Sequence, residues 1–378
     1  MNKRSALKAV AAAAIFAMAG MANAQQTIKI ANIVELSGPG TTAGTLFKNG
    51  VELAVKEINS TGGILGKKIE SYTVDTQTNP GVAKGLTQKA VDDGVVAIFG
   101  PVYSGSIMVS MAESKRGETP NFTGGEATAI TQQGNPWVFR TAFGQSVSFP
   151  KVARYINGKS KKLAVLYVNN DFGKGGQAAI KQLLANSPTQ IVVEISTESG
   201  QVDFSAAVIQ AKQSGADALF AYTNEEESAR LLRELRKQAW NKPVIGETVL
   251  TSAKVVELAG EAANGAVAHV GLTVEAPQLQ AWGKKFQAAY NTSSDHNGVK
   301  GYTGVYVLKA AIEKSGKVDR KAAAAAIRNS CFTAKQYPGV LMDVCFDDKG
   351  DIDRESFITE IRNGKTVVAE TLPPMNKK

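Results

Sequence analysis

Six short stretches gather residue types able to bind or react. Gly100-Pro101-Val102-Tyr103-Ser104-Gly105-Ser106 leads into a helical pattern near Ile107, and Ser104 is placed to cap that helix. A helix N-terminus offers free N–H donors and partial positive charge, so a carboxylate suits it. Ser37-Gly38-Pro39-Gly40 and Thr123-Gly124-Gly125-Glu126 are two further small-residue loops expected in the same lobe. Asn170-Asp171-Phe172-Gly173 sets an aromatic ring after a strand pattern, while Asn224-Glu225-Glu226-Glu227 and Gly246-Glu247-Thr248 set carboxylates after two others. A Glu at such a position can pair with a ligand ammonium group. Acids at a helix start also simply offset the macrodipole, which is the expectation for most of the Glu225–Glu227 run.

Catalytic chemistry finds less support. Gly173-Lys174-Gly175-Gly176 lies between a strand and a helix, with Glu194 about 20 residues further on, and partly mimics a dinucleotide fingerprint. The third glycine is missing and Asn169–Phe172 lengthens the turn, so a nucleotide-dependent oxidoreductase is the remote alternative. There is no Gly-x-Ser-x-Gly elbow. His269, expected in a strand crossing between lobes, and His296, expected in a polar loop, have no evident nucleophile partner. No catalysis, cofactor or metal is expected.

The elements that must position these loops alternate along the chain. Thr27–Ile33, Ile69–Val74 and Val95–Phe99 read as strands. Between them lie a helix with Phe47, Val51, Ala54, Val55 and Ile58 on one face and a second over Val82–Val91. A second series follows Arg140-Thr141-Ala142, with strands at Leu163–Val168, Ile191–Ile195, Ala218–Tyr222 and Val244–Ile245. Its helices cover Gly175–Leu184, Phe204–Gln213 and Ser228–Gln238. Such alternation specifies α/β architecture, here two doubly wound, Rossmann-like lobes. Helices over Leu279–Tyr290 and Tyr302–Ser315 have no strand series of their own and are expected to return to the first lobe. The boundary is then a three-strand hinge, with lobe 1 at 25–143 plus about 271–350 and lobe 2 at 144–270 plus about 351–378. Ligands of open parallel sheets sit beyond the carboxyl ends of the strands, so two facing lobes enclose a cleft that hinge closure seals.

The first residues set the compartment. Lys3, Arg4 and Lys8 precede an apolar run from Ala9 to Met21 and the small residues Ala22-Asn23-Ala24, the pattern of a cleaved signal peptide over 1–24. Export to a bacterial periplasm is expected, where no nicotinamide nucleotide pool exists. Removing 24 of the 378 residues leaves 354, enough for two domains, and removing three cationic residues lowers the formal charge from +9 to +6. The remaining charges are scattered, which argues against a nucleic-acid partner. Export permits a Cys331–Cys345 disulfide, which would close a loop of about 15 residues worth roughly 3 kcal/mol. The alternative is two buried thiols.

The chain resembles the type I periplasmic binding proteins of the leucine/isoleucine/valine-binding family over nearly its whole exported length. The resemblance rests on Ser37-Gly38-Pro39, Asn49-Gly50, Ile58-Asn59 with Gly62-Gly63-Ile64, and Ile98-Phe99-Gly100-Pro101. It continues through Phe172-Gly173, Asp203-Phe204-Ser205, Gly301-Tyr302 and Phe346-Asp347-Asp348-Lys349-Gly350. It implies a monomeric receptor without catalysis that delivers an amino acid or related metabolite to the membrane permease of an ABC importer. A sensory output through the same lobes is the alternative.

Carried over by position, Ser104 matches the serine that holds the ligand carboxylate, Gly124 and Gly125 the small residues lining that pocket, and Phe172 an aromatic lid. Glu126 stands where the family has Ser or Thr, and Asn224 replaces a cleft tyrosine. Glu247 matches the acid that meets the ammonium group only after a one-residue adjustment; otherwise Thr248 does. The family's first-lobe cysteine pair is replaced by Thr78 and Tyr103. An unpaired Glu126 in a closed cleft must face water or a donor on the ligand. The ligand expected is a small amino acid or amino-acid-like metabolite, held by Ser104 and by Glu126 or Glu247. An aromatic carboxylate, short amide or urea is the alternative.

Overall fold

Residues 27–375 are described by the computed structural model; the signal-peptide reading over 1–24 lies outside them. The first sheet has strands β1 (Ile28–Val34), β2 (Ile69–Asp75), β3 (Ala97–Phe99), β4 (Asn121–Thr123) and β5 (Val138–Arg140), in the order β2-β1-β3-β4-β5. All its pairings are parallel. Central β1 is buried at every residue but Lys29, as a strand covered by helices on both faces must be.

The second sheet contains β6 (Lys162–Val168), β7 (Gln190–Thr197), β8 (Ala218–Tyr222), β9 (Val244–Glu247) and β10 (Ala266–Val270). Strands β11 (Cys331–Phe332), β12 (Val344–Phe346) and β13 (Ile352–Asp353) form a small antiparallel sheet, across which Cys331 and Cys345 are register partners and disulfide-bonded. Strands β14 (Ser356–Arg362) and β15 (Lys365–Leu372) extend the second sheet, giving the order β15-β14-β10-β9-β8-β6-β7.

Each sheet reverses its winding once, between β1 and β3 in the first and between β6 and β8 in the second. At such switch points the loops after adjacent strands splay apart and leave a crevice. The loops at 35–40, 100–103, 169–170 and 223–224 are these loops, so topology alone brings Tyr103 and Asn224, with the adjoining Ser104 and Phe172, to one place. The chain passes between the sheets at 141–144, 271–279 and 354–355. His269 lies in β10, between β9 and β14.

The helix His296–Ser315 returns to the first sheet and packs on the helix Thr41–Ser60 through glycines. A Cβ on Gly50 would lie 2.0 Å from the Gly298 carbonyl oxygen, and one on Gly301 2.3 Å from that of Phe47. Only hydrogen at these positions permits the approach. It begins six residues before the expected Tyr302, and His296, placed in a polar loop from the sequence, is its buried first residue. No helix among the described residues is long and apolar enough to cross a membrane.

Candidate functional site between the sheets

A cavity of about 260 Å³ opens where the two sets of switch-point loops face each other. Tyr103, Ser104, Gly124, Gly125, Glu126, Phe172 and Asn224 all line it. Glu247 does not; it is buried at the C-terminal end of β9, behind the wall.

Ser104 is not a helix cap. Tyr103 holds the cap position of the helix Ser104–Arg116, without a side-chain cap, and Ser104 is the first helical residue. Its Oγ accepts the Ala127 N–H at 3.2 Å, which ties the helix start to the Gly124–Ala127 loop. A Cβ on Gly125 would lie 2.5 Å from Ile107 Cδ1 and 3.1 Å from Ser104 Oγ, so this loop can sit against the helix end only as glycine. The fully buried Glu35 accepts the N–H groups of Val102 at 3.0 Å and Tyr103 at 3.1 Å, holding the approach to the helix. Tyr103 itself donates its hydroxyl to the Pro39 carbonyl at 2.9 Å.

Buried Arg140 braces the same loop from behind. It donates to the carbonyls of Gly125 at 3.2 Å and Ala127 at 3.0 Å, and its Nε lies 3.1 Å from Asp351 Oδ1 at a crossing between the sheets. Neither Glu35 nor Arg140 stood out in the sequence, because each acts on residues far from it in the chain.

On the opposite wall, Phe172 stacks on Tyr222 with ring centroids 4.0 Å apart. Gln145 donates to the Phe172 carbonyl at 2.8 Å and to the Tyr222 hydroxyl at 3.0 Å, fixing that aromatic pair. The glycines that mimic a nucleotide loop lie within the helix Asp171–Leu184. A Cβ on Gly173 would meet the Val168 carbonyl oxygen at 1.8 Å, and one on Gly176 the Tyr222 ring at 2.2 Å, so they serve packing. Glu225–Glu227 form the first turn of the helix Glu225–Lys237 but differ in role. Glu226 accepts the Thr42 hydroxyl from the other lobe at 2.7 Å, Glu227 accepts the Gly200 N–H at 2.6 Å, and Glu225 lines the cavity.

Glu126 is not unpaired. Lys300, from the second turn of His296–Ser315, places Nζ 2.9 Å from Glu126 Oε1 and donates to the Gly124 carbonyl at 3.2 Å. Glu126 Oε2 is buried with no N–H or hydroxyl donor, and the Glu126 and Glu247 carboxyl groups lie within hydrogen-bond reach of each other, a pair that a single proton can bridge. Burial pushes the Glu126 carboxyl up to about 8; Lys300 opposes this and the neighbouring Glu247 adds to it. Burial likewise raises Glu247 to about 7, against a hydrogen bond from Thr248. His269 Nδ1 lies 3.5 Å from Glu247 Oε1, and burial holds that imidazole down to about 3, so it is neutral. The site thus carries buried carboxyl groups, the buried Lys300 ammonium group, the exposed Lys174 at its mouth and a helix start, an arrangement able to hold a small molecule with both an acidic and a nitrogen-bearing end.

A sequence profile of the family described as periplasmic binding protein matches residues 27–366. The Leu/Ile/Val-binding protein BraC3 of Rhizobium johnstonii is 31% identical, over 96% of this chain and all of that one. The leucine-, isoleucine-, valine-, threonine- and alanine-binding protein of Pseudomonas aeruginosa is 27% identical, over 92% of this chain and 93% of its own. The branched-chain amino acid transporter substrate-binding protein LivJ of Streptococcus pneumoniae, solved with isoleucine, superposes with a TM-score of 0.82 at 25% identity, over 92% of this chain and all of that one. A solute-binding protein from R. palustris, solved with benzoate, superposes with a TM-score of 0.84 at 22% identity, over 93% and 98% of the two chains, a likeness of fold. With two doubly wound lobes around one cavity and this match along nearly its full length, the chain belongs to the periplasmic binding protein family.

Proposed function

We propose that the protein is the periplasmic receptor of an ABC importer and traps a small amino acid between its lobes for delivery to a membrane permease. The observation that carries this reading is Glu126. It lines the cavity beside the start of the helix Ser104–Arg116; one carboxyl oxygen is held by Lys300, the other accepts from no protein N–H or hydroxyl, and the Glu247 carboxyl is within hydrogen-bond reach of the group. A ligand carboxylate at Ser104 and Gly125 would take the helix N-terminal donors, and its ammonium group would supply the N–H donor missing at Glu126 Oε2. The naming of relatives for leucine, isoleucine and valine supports the same class. The proposed lobes are 25–143 with about 271–350, and 144–270 with about 351–378; β13 (Ile352–Asp353) pairs with β12, so sheet membership favours moving the last boundary to 354–355. Contacts from both lobes would favour the closed state.

Isothermal titration of leucine into refolded, ligand-free protein tests this. Ser104→Ala and Glu126→Gln should each weaken binding by about 1–3 kcal/mol, the range for hydrogen bonds to charged groups. Unchanged affinity in both variants would remove this wall from the site. One observation favours a second reading, an aromatic carboxylate: the stacked Phe172–Tyr222 pair forms part of the wall region. In that case leucine would give no heat and benzoate would bind.

A further inference from the structure

Three side chains from the two sides of the cleft meet at another edge of the cavity. Glu225 opens the helix Glu225–Lys237 of the second lobe; Asp295 caps and His296 opens the helix His296–Ser315 of the first. A carboxylate oxygen of Glu225, a carboxylate oxygen of Asp295 and an imidazole nitrogen of His296 all lie within 4.8 Å of one another. Glu225 is 3% exposed and both others 5%.

The Glu225 carboxylate is buried, lines the cavity and takes a hydrogen bond from its own backbone N–H. Asp295 accepts the Asn297 N–H at 2.7 Å and its side-chain amide at 3.3 Å, and His296 Nδ1 lies 3.8 Å from Asp295 Oδ2. The neighbouring cation, Lys300, is committed to Glu126 and the Gly124 carbonyl. The buried Glu225 and Asp295 carboxyl groups repel each other, and either a shared proton or a bound cation relieves that repulsion, with Lys300 acting on Asp295 from one side. Two carboxylate oxygens with one neutral imidazole nitrogen are a donor set for Zn²⁺ or Mn²⁺, bound at about 2.0–2.2 Å, and two of the three residues, Glu225 and His296, line the cavity.

We propose that Glu225, Asp295 and His296 form a divalent transition-metal site that straddles the seam between the lobes. Because its ligands come from both lobes, the metal binds the closed arrangement more tightly than an open one and so favours closure. The proposal does not depend on the identity of the trapped organic molecule.

Titration calorimetry of chelator-treated full-length protein with ZnCl₂ and with MnCl₂, without amino acid, tests it. One ion should bind per chain, and Glu225→Gln and His296→Gln should each weaken it by about tenfold or more. The exposed control Glu261→Gln should leave it unchanged. Small-angle scattering should show compaction on metal addition in the wild type and not in Glu225→Gln. Thermal melts without metal establish that each variant is folded, and Asp295→Asn replaces any that is not. Absence of binding, or binding that survives Glu225→Gln, overturns the proposal. So does a Glu225→Gln variant that loses leucine binding while the wild type binds no metal, which would assign this carboxylate to the ligand's ammonium group. Failure of the metal titration alone leaves the amino-acid reading standing.

Discussion

Lys300 Nζ lies 2.9 Å from Glu126 Oε1, and both residues are almost wholly buried at the edge of the cavity. Glu126 follows β4 and Lys300 comes from a helix 174 residues later, so the pair pins the returning helix to the loop that carries Gly124 and Gly125.

Breaking this pair from one side should be costly. Lys300→Met leaves Glu126 buried without its cation and should destabilise the protein by up to about 3–5 kcal/mol, less whatever Glu126 recovers by taking up a proton. Lys300→Met combined with Glu126→Gln should be more stable than Lys300→Met alone. Urea denaturation of the four forms gives the coupling; additive effects would mean the pair does not hold the loop.

The raised carboxyls make stability depend on pH. Glu126 and Glu247, pushed to about 8 and about 7 from 4.5, bind more protons folded than unfolded across that interval. Their contribution is therefore fully present below pH 4.5 and is lost as pH rises toward 8. His269, depressed to about 3 from 6.5, acts oppositely and favours the fold as pH rises through that lower window. Lys300, Tyr222 and His269 face these carboxyls and remain in every variant. Measured by urea melts between about pH 6.5 and 8, ligand-free wild type should lose stability with rising pH, and Glu126→Gln with Glu247→Gln should reduce that slope. Glu225, also raised to about 8 by burial, keeps part of it. An unchanged slope would contradict the assignment.

The glycine seam makes a packing prediction. Gly301→Ala drives a methyl group to 2.3 Å from the Phe47 carbonyl oxygen, so the two helices must part. Overpacking of this kind destabilises by about 1–3 kcal/mol. Because Lys300 is the preceding residue, ligand affinity should fall as well. A thermal melt and a titration on one sample check both effects.

The Cys331–Cys345 bond staples the small sheet of β11–β13, away from the cavity. Replacing both cysteines by serine should lower stability by roughly 3 kcal/mol for a loop of this length while leaving ligand affinity unchanged. A change in affinity would show that the staple reaches the site.

Strand ends were the legible part of the site. Period and composition located β1 to β3 and β6 to β9, whose ends carry Ser104, Phe172 and Asn224; the three-residue strands β4 and β5 are too short to show a period, and Gly124, Gly125 and Glu126 were found by their small-residue composition instead. The partners were not legible. The helix with Lys300 reads from the sequence as starting only at Tyr302, since Gly298 and Gly301 before it are poor helix formers. They are present because a neighbouring helix or ring comes too close for a side chain. A start signal existed in Asp295, whose carboxylate accepts the Asn297 N–H. Glu225 and Asp295 lie 70 positions apart in sequence, and only the folded lobes make neighbours of them.

A thermal-shift panel on protein refolded free of carried-over ligand tests the central claim most directly. It would hold leucine, isoleucine and valine, benzoate and 4-hydroxybenzoate, and short amides with urea. A ligand at 100 times its dissociation constant adds about 2.7 kcal/mol, readily seen as a rise in melting temperature. The account predicts a rise with an aliphatic amino acid that is lost in Ser104→Ala. A rise with the aromatic acids alone, or none with any compound, would contradict it.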